Sequence, residues 1–97
     1  MGRLEGKVAI ITGAGSGMGA ATAQLFVSEG ARVLVTDMND EKGHAVADEL
    51  GEFGDFLHVD VSRETDIAEA VSRATSHWGR LDVMFNNAGF GGARGPV

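Results

Sequence analysis

Residues 7–26 read KVAIITGAGSGMGAATAQLF, and the change of character inside this stretch decides the fold. An apolar run, Val8 to Ile11, gives way to four glycines between Gly13 and Gly19. Glycine loses more backbone entropy on folding than any other residue, so a cluster at such a junction marks a close approach to the backbone. Lys7 to Thr12 is β-branched and almost wholly apolar, which suits a strand covered on both faces, as in a parallel sheet. Met18, Ala21, Leu25 and Phe26, with Thr22 on the same face, then recur at helical spacing. Gly30 is placed to end that helix in the left-handed conformation.

The pattern repeats down the chain. Arg32 to Thr36 (RVLVT) predicts a second strand, and Asp40 to Leu50 a helix carrying Ala45, Val46, Ala47 and Leu50 before a turn from Gly51 to Gly54. Phe56 to Val59 predicts a third strand. Ser62 is a candidate cap for a helix with Ile67, Ala70, Val71 and Ala74 on one face, stopped by Gly79. Leu81 to Asn86 (LDVMFN) predicts the fourth strand, and the last eleven residues, NAGFGGARGPV, read as a loop. Strands alternating with helices call for right-handed crossovers and a parallel sheet with helices on both faces. The expected fold class is therefore α/β, a doubly wound parallel sheet of four strands and three helices over residues 1–97, a length that allows one domain at most.

Composition narrows the function. With 97 residues, 43% hydrophobic and 23% charged, the chain is an ordinary globular domain whose small core would be marginal if a packing partner were lost. A net charge of −6, with eight Lys and Arg scattered singly, argues against nucleic acid as a partner. The absence of cysteine excludes disulfides and thiolate chemistry and fits a cytoplasmic location. The longest apolar stretch falls far short of the roughly 18 residues that span a bilayer, so no membrane partner is expected. His44, His58 and His77 share no metal-ligand spacing and are expected in surface or structural roles; no metal site is expected. Trp78 is expected to cover the end of its helix.

The glycine loop falls where a parallel α/β unit exposes the amide groups of its first helix, at the carboxyl edge of the sheet, a place that attracts anions. A pyrophosphate can lie on that backbone only if side chains are absent. The glycines do not fit G-x-G-x-x-G, because Met18 stands at the last position; their own spacing is Thr12-Gly13, Gly17, Gly19. That spacing, T-G-x-x-x-G-x-G, resembles the nucleotide-binding signature of the short-chain dehydrogenase/reductase family. Asp37 at the end of the second strand, Asp60-Val61 after the third and NNAG (86–89) after the fourth stand where that family keeps its cofactor contacts.

The resemblance implies a Rossmann-type fold. It implies that Gly13, Ser16, Gly17, Met18 and Gly19 surround the pyrophosphate, Gly13 making the tight turn and Gly19 letting the helix pack on the strands. Asp37 would accept both hydroxyls of the adenosine ribose and repel a 2′-phosphate. No Lys or Arg lies in the glycine loop or directly after Asp37, so NAD is expected over NADP. Asp60 would accept from the adenine amino group, Val61 would contribute its backbone and Asn87 would line the ribose, with Asn86 equally suited to a structural role. The bland alternatives are a plain glycine turn, a helix-capping Asp37 and a dipole-favoured Asp60. Phe90, Gly91 and Gly92 would sit near the nicotinamide, without a motif that assigns a role to any of them.

The family's proton-transfer group is a Tyr four residues before a Lys, assisted by a Ser. This chain has no tyrosine, and its lysines are Lys7, at the start of the first strand, and Lys42, in a helix expected to face away from the site. No catalytic residue is therefore assigned, and the chain alone is expected to be inactive. The stop at ARGPV inside a loop suggests the amino-terminal, dinucleotide-binding part of a longer oxidoreductase acting on an alcohol or carbonyl substrate. A non-catalytic dinucleotide-binding or regulatory module is the alternative. A homo-oligomer is expected, and for the chain on its own the open outer edge of the fourth strand should drive association.

Overall fold

The computed structural model describes residues 2–15 and 17–87. Strand β1 (Val8–Thr12) leads through the glycine loop into helix α1 (Gly17–Ser28), followed by β2 (Arg32–Asp37) and α2 (Asp40–Leu50). A 3-10 turn (Gly51–Phe53) connects to β3 (Gly54–His58), then α3 (Glu64–Trp78) and β4 (Val83–Asn86). The sheet is wholly parallel in the order β3-β2-β1-β4. The chain moves outward from β1 to β2 to β3, then returns to the other side of β1. With crossovers of one hand, that reversal puts α3 on the opposite face from α1 and α2 and opens a crevice at the carboxyl ends of the strands.

Two hydrophobic layers follow from the two-residue period of the strands. Ala9, Ile11, Val33, Val35 and Phe56 meet Ala23 of α1 and Val46, Ala47 and Leu50 of α2. Val8, Ile10 and Leu34, with Val59, meet Ala70 and Ala74 of α3, and Trp78 packs at the margin of this second layer. Ile10, Ile11, Val33, Leu34 and Val35 are fully buried, and burying one such side chain stabilises a fold by about 1.5–3 kcal/mol. Thr36 is buried among them, and its hydroxyl donates to the Ile11 carbonyl at 3.0 Å, so this buried group is not stranded.

Several details differ from the expectation. The face that α1 buries runs through Gly19 and Ala23, with Ala20, Phe26 and Val27 partly buried beside it. Met18 and Leu25 are 70% and 58% exposed. At its first turns the helix lies so close to the strand end that only small residues, Gly19 and Ala23, are buried beneath it, while Met18 and Leu25 turn outward. In α2 Ala45 is exposed, and Gly43 takes the buried position against the Phe56 ring.

Ser62 does not cap α3. Its amide and hydroxyl both donate to Asp60 Oδ1, at 3.0 and 2.7 Å, and Arg63 occupies the cap position without a side-chain bond. Asp66, in the first turn of α3, reaches back to accept from the Asp60 amide at 3.0 Å. Gly30 and Gly79 both adopt positive φ, 99° and 86°, and end their helices as expected. Strand β3 starts at Gly54, whose pairing with Val33 fixes its register. Strand β4 starts only at Val83, because Asp82 turns its carboxylate to the Val8 amide (2.9 Å) and to Arg80 (2.7 and 2.9 Å).

Candidate functional site

The register aligns Thr12 of β1 with Thr36 of β2 and Asn86 of β4, while Asp37 pairs with His58 of β3. The carboxyl edge of the sheet is thus a row of polar residues, and the glycine loop lies over it. Gly13 and Gly17 take positive φ, 63° and 60°, a conformation that costs side-chain-bearing residues energy. The Ala14 amide donates to the Thr36 carbonyl at 3.0 Å, fastening the loop to β2. A methyl group on Gly19 would collide with the Gly13 carbonyl oxygen and lie 2.9 Å from Ala14 Cα and 3.0 Å from Asn87 Nδ2. Gly19 therefore allows α1 to begin directly against the strand end.

Asp37 lies at the centre of this edge. Its Oδ2 accepts the Gly15 amide and its Oδ1 the Asn39 amide, both at 2.8 Å. The cap of α2 is Asn39, whose side chain accepts from the Lys42 amide at 3.0 Å, so Asp37 is not the capping residue. Gly15 had no assigned role in the sequence reading. Here a Gly15 Cβ would stand 2.8 Å from Asp37 Oδ2 and 3.1 Å from Lys42 Cβ, and the absence of a side chain is what lets the loop amide reach the carboxylate. The same geometry corrects the expectation for Lys42, which stands beside the glycine loop. The one available signal for Gly15 was a fourth glycine outside the motif spacing.

On the far side of β1, Thr12 Oγ1 donates to Asn86 Oδ1 at 2.9 Å, and Asn87 Nδ2 donates to the Gly13 carbonyl at 3.3 Å. Asn86 therefore ties β4 to β1, and Asn87 holds the loop from beneath. A cleft of about 170 Å³ is lined by Gly13, Asp37, Met38, Val59 and Val61. It brings together three of the predicted residues, Gly13, Asp37 and Val61, and adds Met38 and Val59, which sequence reasoning missed. Val61 also borders a groove of about 510 Å³ along the first turn of α3, with Ser62, Glu64, Thr65, Ile67 and Ala68. Gly17 and Met18 form the exposed start of α1. Ser16, Gly89, Phe90, Gly91 and Gly92 lie outside the described residues.

Charge at the helix starts is uneven. The first turn of α2 holds Asp40 and Glu41 and that of α3 Glu64 and Asp66, whereas α1 has no acidic residue in its first turn. The partial positive charge at the start of α1 is thus left without a carboxylate of its own helix. Asp60 does not line the cleft. The two bonds from Ser62 hold its carboxyl below the usual range, because both stabilise the ionised form. Among the described residues no cluster of three or more His, Asp or Glu could hold a metal ion, and no helix is long and apolar enough to cross a membrane.

The histidines take structural positions. His44 packs on Phe56 with centroids 4.4 Å apart, and His77 meets Trp78 edge-on at 4.6 Å. His58 gains a carboxylate partner that its sequence position did not reveal: Nδ1 lies 2.6 Å from Asp40 Oδ1. That hydrogen bond raises its pKa, with help from the charges of Asp40, Asp66 and Asp60 and some opposition from burial. A raised value means the pair's contribution is complete below the ordinary histidine pKa of about 6.5 and fades as pH climbs through the folded value. By NMR titration, His58 is expected to show a midpoint above about 6.5, falling back in Asp40→Asn. An unchanged midpoint in that variant would detach the shift from Asp40.

A reversal of strand order, a glycine-rich loop and a helix amino terminus at one crevice define the class: a Rossmann-type α/β protein, in which ligands bind outside the carboxyl ends of the strands. The model of the short chain dehydrogenase family matches residues 7–96, and the chain belongs to that family. It is similar to short chain aldehyde dehydrogenase 1 of Euphorbia lathyris, 48% identical over 97% of this chain and 33% of that protein. Among solved structures, a hydroxysteroid dehydrogenase from Escherichia coli superposes with a TM-score of 0.86 at 38% identity, over 95% of this chain and 40% of the other. A 3-ketoacyl-(acyl-carrier-protein) reductase from Brucella melitensis, complexed with NADH, gives a TM-score of 0.81 at 42% identity, over 84% and 33%. The chain spans about a third of the length of the curated relatives it matches.

Proposed function

We propose that this chain is the amino-terminal, NAD(H)-binding part of a single Rossmann-type domain, in a short-chain dehydrogenase/reductase that oxidises an alcohol or reduces a carbonyl. The observation that carries the reading is the junction of β1 and α1, where Gly19 leaves no side chain between strand and helix and the first turn of α1 holds no carboxylate. Such a junction fits a pyrophosphate, whose charge faces the amides of Gly17 and Met18, with Gly13 and Ser16 in the loop before them. NADH in the structure of the Brucella melitensis relative supports the choice of ligand.

Asp37 suits the adenosine ribose. Its two oxygens already accept one amide each, and an ionised carboxylate has about four lone-pair sites, so both can accept a hydroxyl as well. Those amides also fix the carboxylate's direction before any ligand arrives. Val61 suits the adenine as an apolar wall of the cleft, with Asp60, just outside that lining, as the acceptor for its amino group, while Asn87 supports the ribose side through the Gly13 carbonyl it holds. A bound nicotinamide would supply hydride acceptance and donation. This chain has no tyrosine to move the substrate proton and by itself is expected to turn over no secondary alcohol, since general acid–base assistance is worth about 10² to 10⁴ in rate.

The assignment of NAD over NADP rests on the Asp37 charge. The full-length protein, titrated with NADH and NADPH by nicotinamide fluorescence, is expected to bind NADH more tightly, by a finite margin. Equal affinities would overturn the preference, and absence of binding to either would overturn the site. We also propose a cytoplasmic protein, in keeping with a chain free of cysteine, and a homo-oligomer; for the 97-residue chain on its own we propose self-association along β4, where Met84 and Phe85 are 42% and 36% exposed.

A further inference from the structure

The dinucleotide reading leaves one charged group unused. Lys42 sits in the first turn of α2, and its Cβ would touch a methyl group built on Gly15, the residue whose amide is bonded to Asp37. Lysine carries its charge on a flexible four-carbon stem, so from this anchor the ammonium can swing over the loop toward the outer side of Asp37. Among the described residues it makes no ion pair that would hold it elsewhere. Arg63, Arg73 and Arg80 are engaged with Asp66, Asp55 and Asp82, and Arg32 lies over the Phe53 ring. The backbone of Lys42 has a separate task, donating to Asn39, so its side chain can vary without disturbing the cap.

We infer that Lys42 is a specificity-determining residue of the ribose site: its charge offsets the repulsion between Asp37 and a 2′-phosphate, and so sets how narrowly the protein distinguishes NADP from NAD. The inference rests on the dinucleotide reading above. A ribose held by Asp37 has its 2′ position beside that carboxylate, whose Oδ2 is bonded to Gly15, the residue against which the Lys42 stem begins. A phosphate there carries nearly two charges and meets one carboxylate and one ammonium. The ammonium adds little to a neutral ribose hydroxyl and much more to a phosphate, so its effect falls on the ratio of the two affinities.

The test is the ratio of NADPH to NADH dissociation constants of the full-length protein, measured by fluorescence titration in wild type, Lys42→Met and Lys42→Arg. The methionine variant keeps the apolar stem and removes the charge. Its ratio is expected to rise about three- to tenfold, the scale of one exposed ion pair strengthened by a doubly charged partner, chiefly through weaker NADPH binding. Lys42→Arg should return the ratio to near wild type, and raising the salt concentration should move wild type toward the methionine variant. An unchanged ratio in Lys42→Met, with NADH still bound, would overturn the inference and leave the dinucleotide site standing. Loss of both ligands in wild type would overturn the site itself, and this inference with it.

Discussion

Gly19→Ala is expected to weaken dinucleotide binding at least tenfold and to destabilise the fold by about 1–3 kcal/mol, the usual range for overpacking a close contact. The new methyl group would meet backbone, the Gly13 carbonyl oxygen and Ala14 Cα, together with the Asn87 amide. Backbone atoms cannot rotate aside as a side chain does, so α1 must move away from the end of β1. That movement pulls on the amides of Gly17 and Met18, and 1.4 kcal/mol of lost alignment is already a factor of ten in affinity. Urea unfolding together with NADH titration separates the two effects. Gly17→Ala is a useful companion, because a methyl group there meets nothing within 4 Å and the cost arises only from its positive φ. Wild-type affinity and stability in Gly19→Ala would show that helix and strand are not pressed together as described.

Asp37→Ala is expected to act on the ligand more than on the fold. The substitution removes the acceptor of two amides, those of Gly15 and Asn39, and hydrogen bonds to charged groups are worth about 1.5–3 kcal/mol when made. The site is partly open to water, which can replace some of that loss at the amides, but the ribose loses both the acceptor and the loop geometry that Asp37 maintains. NADH affinity should fall about ten- to a hundredfold on this scale, while NADPH, which loses a repulsive neighbour along with the loop support, should fall much less. The pair Asp37→Ser with Met38→Arg, which also supplies a cation on the cleft wall, should carry preference over to NADPH. An NADH affinity unaffected by Asp37→Ala would reduce this carboxylate to a loop fastener.

Much of this architecture was legible because the signals were local. Val8 to Ile11, the glycine loop and Gly79 each state their roles within a few residues, and alternation of strand and helix determines the layers once crossover handedness is applied. What was not legible depends on neighbours distant in sequence. Met18 and Leu25 read as a buried stripe because period alone cannot tell which face of α1 the sheet accepts; that is decided by the closeness of Gly19 to Gly13 and Ala14. Ser62 has the composition of a cap, yet Asp60 captures both of its donors first. Gly43 is buried because Phe56, thirteen positions on, lies across it. Gly15, Lys42 and Asp37 come together only when β2 and α2 have folded against the loop, so the expectation that the helix carrying Lys42 faces away from the site missed their contact.

The crevice at the carboxyl ends of β1, β2 and β3 is proposed to receive the adenosine and pyrophosphate of a dinucleotide. The most direct measurement is the footprint of NADH on the amide resonances of the isotope-labelled 97-residue chain, with 5′-AMP as the smaller companion ligand. Dinucleotide binding in this crevice predicts that NADH shifts the resonances of Gly13, Gly15, Gly17, Met18, Asp37, Met38 and Val61, that 5′-AMP reproduces the part nearest Asp37 and Val61, and that residues of the α3 helix beyond its first turn stay still. Saturable shifts confined to other parts of the surface, with the glycine loop and Asp37 unmoved, would contradict it.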